Sequence, residues 1–524
     1  MKLKNISLII PMSGIGKRFL DAGYDIPKPL IEVDGKPIIQ HVINLFPGIE
    51  DITFICNEFH LKNTNMRELL KTISPNSKII EIPDNLKKGP VFAVSQIFDS
   101  IQDDKEIIIS YCDYSTVWDF NEFLKIKNDY DGLIPSYIGF HPHMLGSDNY
   151  AFCKIEDDQV IEVKEKTPFT KNKMEEFASN GCYYFKNGLM VKKYFSELID
   201  SDINVNGEYY VSLVYNLLVR DGFKIGVFEI QKMLQWGTPY DLEIYKGWSK
   251  YFNDSKKQKN KVECPENTTL ILPMAGRGSR FSEEGYILPK PLIQVDEDIM
   301  VVKAVECLPE TQNKVFICID EHIKTHEIDR IIGNKFKNSD FVIIKETTEG
   351  QAITCEIGIV ENKIDEDSPI LISACDNGIT YDSDELKKLL NDETIDIIVW
   401  SFRNNQASKV NPNSYAWLDV DENNNIKHVS CKKFIYEDPL KTHAIIGTMF
   451  FRKSKFFMNG LMKNKEKNLR TNNEFYVDDV INQNIKEGLV VKVFEVDNYI
   501  CWGTPNDYKT YNYWKEYFES ESLK

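Results

Sequence analysis

The sequence predicts an α/β protein in which one domain is present twice. Apolar runs that suit buried strands, such as Ile107 to Ser110 and Ile370 to Ser373, alternate with amphipathic stretches that suit helices. Strands that alternate with helices indicate βαβ units and a mostly parallel sheet covered on both faces. A Gly-rich turn follows Pro11 and recurs after Pro273, 262 residues later (273 minus 11). Each half therefore has its own pattern of strand, turn and helix.

The repeat continues in the same order to the end of each half. Arg18 matches Arg280 and Lys28 matches Lys290 at the same spacing (280 minus 18, 290 minus 28). Later matches, displaced by a few residues, are Asp113 with Asp376, Glu208 with Glu474, and Trp236 with Trp502. A colinear series over about 250 residues indicates an internally duplicated domain rather than a chance motif.

The domain boundaries follow from the repeat and from one polar segment. The stretch from Asn253 to Thr269 is lysine-rich and has no apolar periodicity until the next strand begins. Such a composition is typical of a short interdomain linker. We therefore predict a first domain over 1–252, a linker over 253–269 and a second domain over 270–524.

The composition excludes several classes of partner. With 524 residues, of which 42% are hydrophobic, the chain is long enough for two sizeable cores. Its net charge of −17 argues against nucleic acid or an anionic membrane as the main partner. The opening apolar run, Ile6 to Ile10, is too short for a signal segment, and no later run approaches a membrane span. The eleven cysteines lack CxxC pairs and fit a reducing compartment. We predict a cytoplasmic protein, whose oligomeric state the sequence does not specify.

The Gly-rich turns do not match the two commonest phosphate-binding fingerprints. A dinucleotide-binding turn needs a third glycine, where Phe19 and Phe281 stand instead. A P-loop needs Gly-Lys-Ser/Thr, which both copies lack. The glycines still allow backbone N–H groups to approach an anion, and each loop adds an Arg and, in the Pro-Lys-Pro that follows, a Lys. A tight turn with solvated basic side chains is the alternative, but the same spacing in two copies favours phosphate binding.

Asp113 and Asp376 each follow a buried strand. They should lie at the carboxyl edge of the sheet, where open α/β sheets bind ligands. A carboxylate at that edge suits Mg²⁺, a hard ion that also takes triphosphate oxygens. A helix cap or turn is the alternative for one copy, whereas recurrence in register favours the metal.

Several motifs occur in one order in both halves. They are PM(S/A)GxGxRF, PKPL, an Asp after a buried strand, a Lys in a VKEK-like segment, and Gly-Thr-Pro followed by an acidic residue. This order resembles the sugar-phosphate nucleotidyltransferases, or nucleotide-sugar pyrophosphorylases, over nearly the whole of both halves. The GYxxPKPLI, EFYV and WGTPxDL elements look like the branch found in bacterial capsule and surface-polysaccharide gene sets.

The resemblance implies two tandem GT-A-like Rossmannoid domains that join a nucleoside triphosphate to a phosphorylated small molecule and release pyrophosphate. It implies Mg²⁺ as the cofactor, with Asp113 and Asp376 as ligands. The implied catalytic cations are Arg18, Lys28, Lys166, Arg280, Lys290 and Lys432. The implied nucleotide-binding residues are Met12, Ser13, Gly14, Gly16, Gly89, Met274, Ala275, Gly276, Gly278, Gly350 and Gln351. The implied acceptor-binding residues are Tyr150, Glu165, Glu208, Tyr415 and Glu474.

Both halves depart from the family at the second metal carboxylate. Two residues before the Gly-Thr pair, the family's acid is replaced by Gln235 and by Cys501. Either the metal takes one protein carboxylate with water and phosphates, or another acid substitutes. Glu229 and Glu495, in the preceding strands, are the candidate second acids.

The two halves also diverge from each other. Gly350-Gln351 offers an amide that can pair with a pyrimidine edge, whereas Gly89 is followed by Pro90. At the acceptor end the first half keeps Glu165, and the second has Cys431 in its place. This pattern favours a different substrate specificity in each half, with a pyrimidine triphosphate (CTP, UTP or dTTP) as the nucleotide. Glu208 and Glu474 precede a helix and equally fit a helix start.

The leading hypothesis is a bifunctional nucleotidyltransferase for capsule or surface-polysaccharide synthesis. One alternative makes one copy a regulatory module that binds nucleotide or product. Another is a glycosyltransferase, but the chain lacks a convincing DxD motif after the central strand. The acceptor is a sugar phosphate in the leading case, although choline phosphate, an amino-acid phosphate or a polyol phosphate would use the same phosphate-binding residues.

Overall fold

The computed structural model describes residues 3–83, 88–255 and 261–522. Within this part of the chain there are two compact units, the first built from residues up to Ser249 and the second from Lys250 to Phe518. Each unit is described by itself. In the described ranges, no helix is both long and apolar enough to cross a membrane.

The first unit contains fourteen strands and nine helices, including the helix that crosses its boundary at Ser249. The strands are β1 (Leu3–Met12), β2 (Glu32–Val33), β3 (Lys36–Pro37), β4 (Ile49–Asn57), β5 (Lys78–Ile82), β6 (Glu106–Ser110), β7 (Tyr114–Val117), β8 (Gly132–Tyr137), β9 (Ala151–Glu156), β10 (Gln159–Glu165), β11 (Phe177–Ser179), β12 (Cys182–Phe185), β13 (Ile225–Glu229) and β14 (Lys232–Gln235). The helices are α1 (Lys17–Asp21), α2 (Ile38–Asn44), α3 (Glu58–Asn63), α4 (Met66–Ile73), α5 (Pro90–Ser95), α6 (Phe120–Ile126), α7 (Gly188–Asp200), α8 (Val211–Arg220) and α9 (Pro239–Ser255).

The main sheet of the first unit has the order β10-β9-β11-β8-β12-β6-β1-β4-β5, and β13 pairs with β8. Strands β5, β4, β1 and β6 are parallel neighbours, and so are β8 and β13. Strand β12 runs antiparallel between β6 and β8. The short strands β7 and β14 form a separate antiparallel pair.

The second unit has thirteen strands and ten helices. The strands are β15 (Thr269–Pro273), β16 (Gln294–Val295), β17 (Asp298–Ile299), β18 (Asn313–Ile319), β19 (Ser339–Ile344), β20 (Ile370–Ile372), β21 (Asn377–Thr380), β22 (Ile397–Phe402), β23 (Trp417–Val420), β24 (Ile426–Ser430), β25 (His443–Phe451), β26 (Val491–Glu495) and β27 (Asn498–Cys501). The helices are α10 (Ser279–Glu283), α11 (Met300–Glu306), α12 (Asp320–His326), α13 (Ile328–Lys335), α14 (Gln351–Glu361), α15 (Ser383–Asn391), α16 (Ala407–Val410), α17 (Ser454–Glu466), α18 (Val477–Lys486) and α19 (Pro505–Ser522).

The second sheet follows the strand order of the first. Its path is β19-β18-β15-β20-β25-β22-β26, with the hairpin of β23 and β24 attached through β25. The strands β19, β18, β15 and β20 are parallel, β25 is antiparallel to both its neighbours, and β26 is parallel to β22. The prediction of α/β folding with large, mostly parallel sheets is confirmed.

The central strands are buried on both faces, which explains why they are continuous apolar runs. Leu8, Ile108, Ile271 and Leu371 are each less than 2% exposed. Strands covered on both faces are mostly apolar, with a few small buried polar residues such as Ser110 and Ser401. The polar loops that follow β1, β6, β15 and β20 therefore emerge together at the carboxyl edge of each sheet.

The predicted linker is partly structured. Helix α9 continues to Ser255, and residues 256–260 lie outside the described part of the chain. Beyond them Val262 is buried in the core of the second unit, and Cys264 donates its backbone N–H to Glu310 at 2.9 Å. The segment that reads as polar in the sequence thus begins as helix and ends packed against the second unit.

Candidate active site

The Gly-rich loops connect the first strand of each unit to a short helix. Gly16 and Gly278 have φ angles of 68° and 62°, in the left-handed region that side chains disfavour. A Cβ on Gly278 would also lie 3.1 Å from the Cβ of Lys290. Arg18 and Arg280 follow directly and are exposed. The glycines therefore let the loop turn closely over the lysine and leave the arginine open to a ligand.

The predicted phosphate lysine and metal aspartate form an ion pair in both units. Lys28 Nζ lies 2.7 Å from Asp113 Oδ2, and Lys290 Nζ lies 2.7 Å from Asp376 Oδ2. Each lysine begins a 3₁₀ turn, and each aspartate follows a buried central strand. Burial lowers the pKa of Lys28, but the Asp113 charge outweighs this and holds the pKa above its ordinary value. The lysine is therefore a fixed positive charge.

A glycine from the Gly-Thr-Pro motif leaves space beside each aspartate. A Cβ on Gly237 would lie 3.0 Å from Asp113 Oδ2, and one on Gly503 would lie 3.0 Å from Asp376 Oδ2. Any larger residue would press its side chain against the carboxylate. The glycine thus keeps room for another ligand of this oxygen.

The acid of the same motif adds a second carboxylate to the first unit. Asp241 accepts a hydrogen bond from Thr238 Oγ1 at 2.6 Å. The pKa of Asp241 is raised to about 6, chiefly by burial; the Asp113 charge acts in the same direction and that of Arg18 in the opposite one. Asp241 therefore lies close enough to both side chains to feel their charges.

The second unit repeats this arrangement with a thiol beside it. Asp507 accepts from Thr504 Oγ1 at 2.7 Å and from Cys501 Sγ at 3.5 Å. The predicted second acids are placed differently. Glu495 forms two hydrogen bonds with Arg403, at 3.0 and 2.6 Å, and Glu229 is exposed at the end of β13. The metal role proposed for them stays a prediction, whereas Asp241 and Asp507 sit in the motif that flanks Asp113 and Asp376.

The two downstream lysines have an unusual backbone. Lys166 and Lys432 have φ angles of 58° and 53°, a left-handed conformation that costs a non-glycine residue on the order of 1–3 kcal/mol. Each donates its backbone N–H to the equivalent tyrosine, Tyr150 at 2.8 Å and Tyr415 at 3.1 Å. The same strained geometry at the same place in both units indicates that the position of this lysine is functionally constrained.

The lysine side chain and the Gly-Glu-Tyr-Tyr segment meet in the first unit. Lys166 Nζ hydrogen-bonds the hydroxyl of Tyr210 and lies 4.0 Å from Glu208 Oε2, and Glu208 also bonds Tyr210. In the second unit Lys432 lies over the ring of Tyr476, 5.7 Å from its centroid. The structure thus brings Glu208 next to a candidate catalytic lysine, in addition to placing it just before a helix.

Glu165, the glutamate predicted for the acceptor site of the first unit, accepts a hydrogen bond from helix α8. Ser212 Oγ donates to Glu165 Oε2 at 2.6 Å. Burial raises the pKa of Glu165 to about 7, against the lowering effects of this hydrogen bond and the Lys166 charge. Glu165 therefore changes its charge near neutral pH.

The corresponding place in the second unit contains a different pair. Cys431 Sγ donates to Asp478 Oδ2 at 3.9 Å. Burial raises the pKa of Asp478 to about 6, while the charge of Lys432 opposes the rise. A carboxylate is therefore present beside Lys432 although Cys431 stands where the sequence expects one.

The glycines expected to bind the base have a packing role. A Cβ on Gly89 would lie 2.7 Å from the backbone N of Tyr209, and one on Gly350 would lie 2.6 Å from that of Phe475. Backbone hydrogen bonds tie these loops to the same segments. Gln351 begins α14 and is half-buried; in the described contacts its side chain has no hydrogen-bond partner. Its amide is therefore available to a ligand.

Four other predicted site residues are buried. Met12, Met274, Ala275 and Tyr150 are all less than 9% exposed. Any contact of the first three with a nucleotide would involve the backbone. Ser13 contributes its carbonyl to Asn57 Nδ2 at 3.1 Å.

Two side chains of the first unit that the sequence does not single out carry buried polar atoms. Nδ2 of Asn180 has no hydrogen-bond partner among the described residues, whereas the hydroxyl of Tyr111 interacts with the backbone of Val211. Tyr111 senses the charge of Glu165, which indicates that the two lie close together. Unsatisfied buried donors are costly and are often completed by a ligand. A buried tyrosine reads as core in a sequence, so no pattern identified it.

A comparison with known proteins identifies the class. The family model for nucleotidyl transferases matches residues 8–204. The match lies within the first unit and supports the enzyme class predicted from the sequence.

Individual relatives are more distant. The chain is 24% identical over 312 residues to the bifunctional protein GlmU of Buchnera aphidicola subsp. Baizongia pistaciae, covering 58% of this chain and 64% of the relative. It is 24% identical over 283 residues to the GlmU of Methanocaldococcus jannaschii, covering 53% and 60%. The matched region thus spans less than two thirds of either curated relative.

Solved structures of similar description also match. A nucleoside-diphosphate-sugar pyrophosphorylase from Vibrio cholerae RC9 is 21% identical, with a TM-score of 0.38, over 45% of this chain and 98% of its own. The inositol-1-phosphate CTP transferase of T. maritima is 14% identical, with a TM-score of 0.37, over 47% of this chain and 96% of its own.

Proposed function

We propose that the chain is a bifunctional, Mg²⁺-dependent nucleotidyltransferase that couples nucleoside triphosphates to phosphorylated small molecules and releases pyrophosphate. The observation that carries the proposal is the ion pair of 2.7 Å between equivalent lysine and aspartate residues in each unit. A regulatory copy would have no need to keep this pair. The match of residues 8–204 to the nucleotidyl transferase model supports the chemistry for the first unit.

In the proposed reaction, an oxygen of the acceptor phosphate attacks the α-phosphorus of the triphosphate. The new O–P bond forms in line with the bond to the β-phosphate, which breaks and carries its electron pair away with pyrophosphate. The acceptor phosphate is already ionised near neutral pH, so the step needs no general base. The protein must position two anions and neutralise the developing charge.

The cations of each unit are arranged for those tasks. Lys28, fixed by Asp113, and the exposed Arg18 lie beside the Gly-rich loop and would hold the leaving pyrophosphate. Lys166, held next to Glu208 and Tyr210, would bridge the acceptor phosphate and the α-phosphate. The second unit would use Lys290, Arg280 and Lys432 in the same way.

The donor set fits Mg²⁺. Asp113 supplies a hard carboxylate oxygen beside the space that Gly237 keeps open, and Asp241 faces the same region. Asp376 and Asp507 are the equivalent pair. Within the described ranges no cluster of three or more His, Cys, Asp or Glu residues forms a complete cage, so the triphosphate and water would supply the remaining ligands. The ion would neutralise phosphate charge and orient the triphosphate.

We further propose that the two halves arose by tandem duplication and now differ in specificity. The matching strand orders and matching site residues support the duplication. The available amide of Gln351 supports pyrimidine recognition in the second unit, and Pro90 cannot make that contact. The role in capsule or surface-polysaccharide synthesis depends on the resemblance of the GYxxPKPLI, EFYV and WGTPxDL elements.

The regulatory alternative draws on the same divergence. Pro90 and Cys431 each remove a polar contact from one copy. If one copy only bound nucleotide, a single site would account for all turnover.

Product analysis of two full-length double variants tests the proposal. One variant is Arg18→Ala with Lys28→Ala, and the other is Arg280→Ala with Lys290→Ala. Each should lose one product while the other product persists, in a pyrophosphate-release screen that crosses several triphosphates with several acceptor phosphates. If one variant loses all turnover and the other none, the regulatory alternative replaces bifunctionality. If neither loses activity, the chemistry is wrong.

A further inference from the structure

The acceptor ends of the two units can be compared atom by atom because one contact fixes the same register in both. In the first unit the side chain of Asn216 bonds the backbone N and O of Val163, at 2.8 and 2.9 Å. In the second unit Asn482 bonds the backbone N and O of Val429, at 2.9 and 2.8 Å. Helix α8 is therefore held on β10 as α18 is held on β24.

Within this register the carboxylate lies on the strand in the first unit and on the helix in the second. Two residues after the bonded valine stand Glu165 in the first unit and Cys431 in the second. Four residues before the asparagine stand Ser212 in the first unit and Asp478 in the second. Each site thus has a carboxylate and a small polar partner in contact across strand and helix, with the two roles exchanged. In the second site Asp479 also interacts with Cys431.

The exchange preserves the surroundings of the carboxylate. Glu165 and Asp478 are both half-buried, so each keeps some exposed surface while most of it is covered. Each lies near a lysine in the left-handed conformation, Lys166 or Lys432. Burying a carboxylate costs free energy unless the group has a binding partner. A second unit that no longer bound an acceptor would therefore not be expected to keep a carboxylate at this place.

We propose that Asp478 is the acceptor-binding carboxylate of the second unit and takes the place that Glu165 has in the first. It would accept a hydrogen bond from a hydroxyl or ammonium group of a phosphorylated acceptor. This proposal rests on the proposed function, because it assumes that the second unit uses an acceptor phosphate.

The test uses the full chain with Arg18→Ala and Lys28→Ala, so that the measured turnover belongs to the second unit. The probes are glucose 1-phosphate, glycerol 3-phosphate and phosphocholine, crossed with CTP, UTP, dTTP, ATP and GTP. Asp478→Asn should raise KM for the acceptor about 10- to 100-fold while KM for the triphosphate stays within about threefold. The matched control is Glu422→Gln, which removes a carboxylate charge from the exposed turn between β23 and β24 of the same unit.

A second pair of variants separates binding from folding. Asp478→Ser should lose acceptor affinity, and Cys431→Glu added to Asp478→Ser should restore it by rebuilding the pair of the first unit. Melting temperatures of all variants identify any that fail to fold.

The outcomes distinguish a failure of the Asp478 assignment from a failure of the proposed nucleotidyltransferase function. If Lys290-dependent turnover exists but Asp478→Asn leaves the acceptor KM unchanged, or raises both KM values equally, the assignment of Asp478 is wrong. If the double variant does not recover affinity where the single variant folds, it is also wrong. If no combination of probes gives Lys290-dependent pyrophosphate release, the proposed function of the second unit fails and this inference fails with it.

Discussion

The two units differ little where phosphate is expected and strongly where the base and acceptor are expected. The ion pairs Lys28–Asp113 and Lys290–Asp376 have the same length, and a Cβ added to Gly237 or Gly503 would lie at the same distance, 3.0 Å, from the aspartate. By contrast, Glu165 is replaced by Cys431, and its carboxylate returns on another element. At the proposed phosphate site, residue type and position are therefore kept together in both units. At the proposed acceptor site, a carboxylate is kept in both units although the residue that supplies it differs.

The largest expected effect tests the shared part of the two units. Asp113→Asn and Asp376→Asn should each reduce the turnover of one unit on the order of 10³-fold, because each removes charge while keeping shape. Single-turnover rates at saturating Mg²⁺ measure this. The control is Asp158→Asn, which should leave both rates unchanged. Asp158 lies in an exposed turn, and asparagine tolerates its left-handed backbone conformation. Full turnover in the double variant Asp113→Asn with Asp376→Asn would rule out the metal assignment.

The next effect separates the two acceptor ends. Glu165→Gln should raise KM for the acceptor of the first unit roughly 10- to 100-fold, since an amide is a poorer acceptor than a carboxylate. The acceptor KM of the second unit should not change. Glu162→Gln, an exposed residue of the same strand, is the control. Equal effects on both units would mean that Glu165 acts through stability rather than through contact.

Recognition of the nucleotide base should also differ between the two units. Gln351→Ala should weaken triphosphate use in the second unit by about 1–3 kcal/mol, the cost of leaving a polar edge of the base unsatisfied. Pro90→Ala in the first unit removes no polar group and should leave triphosphate preference unchanged. Competition between CTP, UTP and dTTP at fixed acceptor measures both. An unchanged preference in Gln351→Ala would place base recognition elsewhere in the second unit.

The pH dependence of acceptor binding should distinguish the units by a smaller amount. Each carboxyl accepts a hydrogen bond more strongly when it is ionised, and burial raises the pKa of Glu165 to about 7 and that of Asp478 to about 6. As pH falls, the acceptor KM should therefore rise near pH 7 in the first unit and only near pH 6 in the second. Profiles of kcat/KM measured between pH 5 and 9 check the order. Coincident profiles would contradict the assignment of separate carboxylates.

The smallest effect is on stability. A carboxyl whose pKa is raised from 4.5 to about 7 by folding contributes stability below pH 4.5, and this contribution is lost as pH rises through 7. Glu165→Gln should therefore melt at the same temperature as the parent near pH 4 and roughly 1–3 °C above it at pH 8. Differential scanning calorimetry at both values measures the difference. A lower melting temperature at pH 8 would show that the ionised carboxylate stabilises the fold.

Much of the site follows from sequence because it sits where strands end. Lys28 and Asp113 were predicted together since a Gly-rich turn and a buried strand both lead to one edge of a parallel sheet. Asp478 could not be predicted in this way. It lies 47 residues from Cys431, on a different element, and only packing shows that the two side chains share one place.

The candidate second acids illustrate another limit. Asp241 and Asp507 belong to a motif that recurs in both halves, whereas the sequence predicts a metal role for Glu229 and Glu495, which stays a prediction. The difference arises because α9 and α19 begin directly after Gly-Thr and turn their first acid towards the sheet edge. Spacing along a strand cannot show the direction in which the following helix starts.

The left-handed backbone of Lys166 and Lys432 has a consequence for directed evolution. Glycine or asparagine would adopt these φ angles at less cost, so a screen for heat resistance alone should favour their appearance at both positions. The same changes would remove the ammonium group proposed to hold the reacting phosphate. A thermostable variant selected without an activity assay is thus expected to lose activity first through replacement of these two lysines.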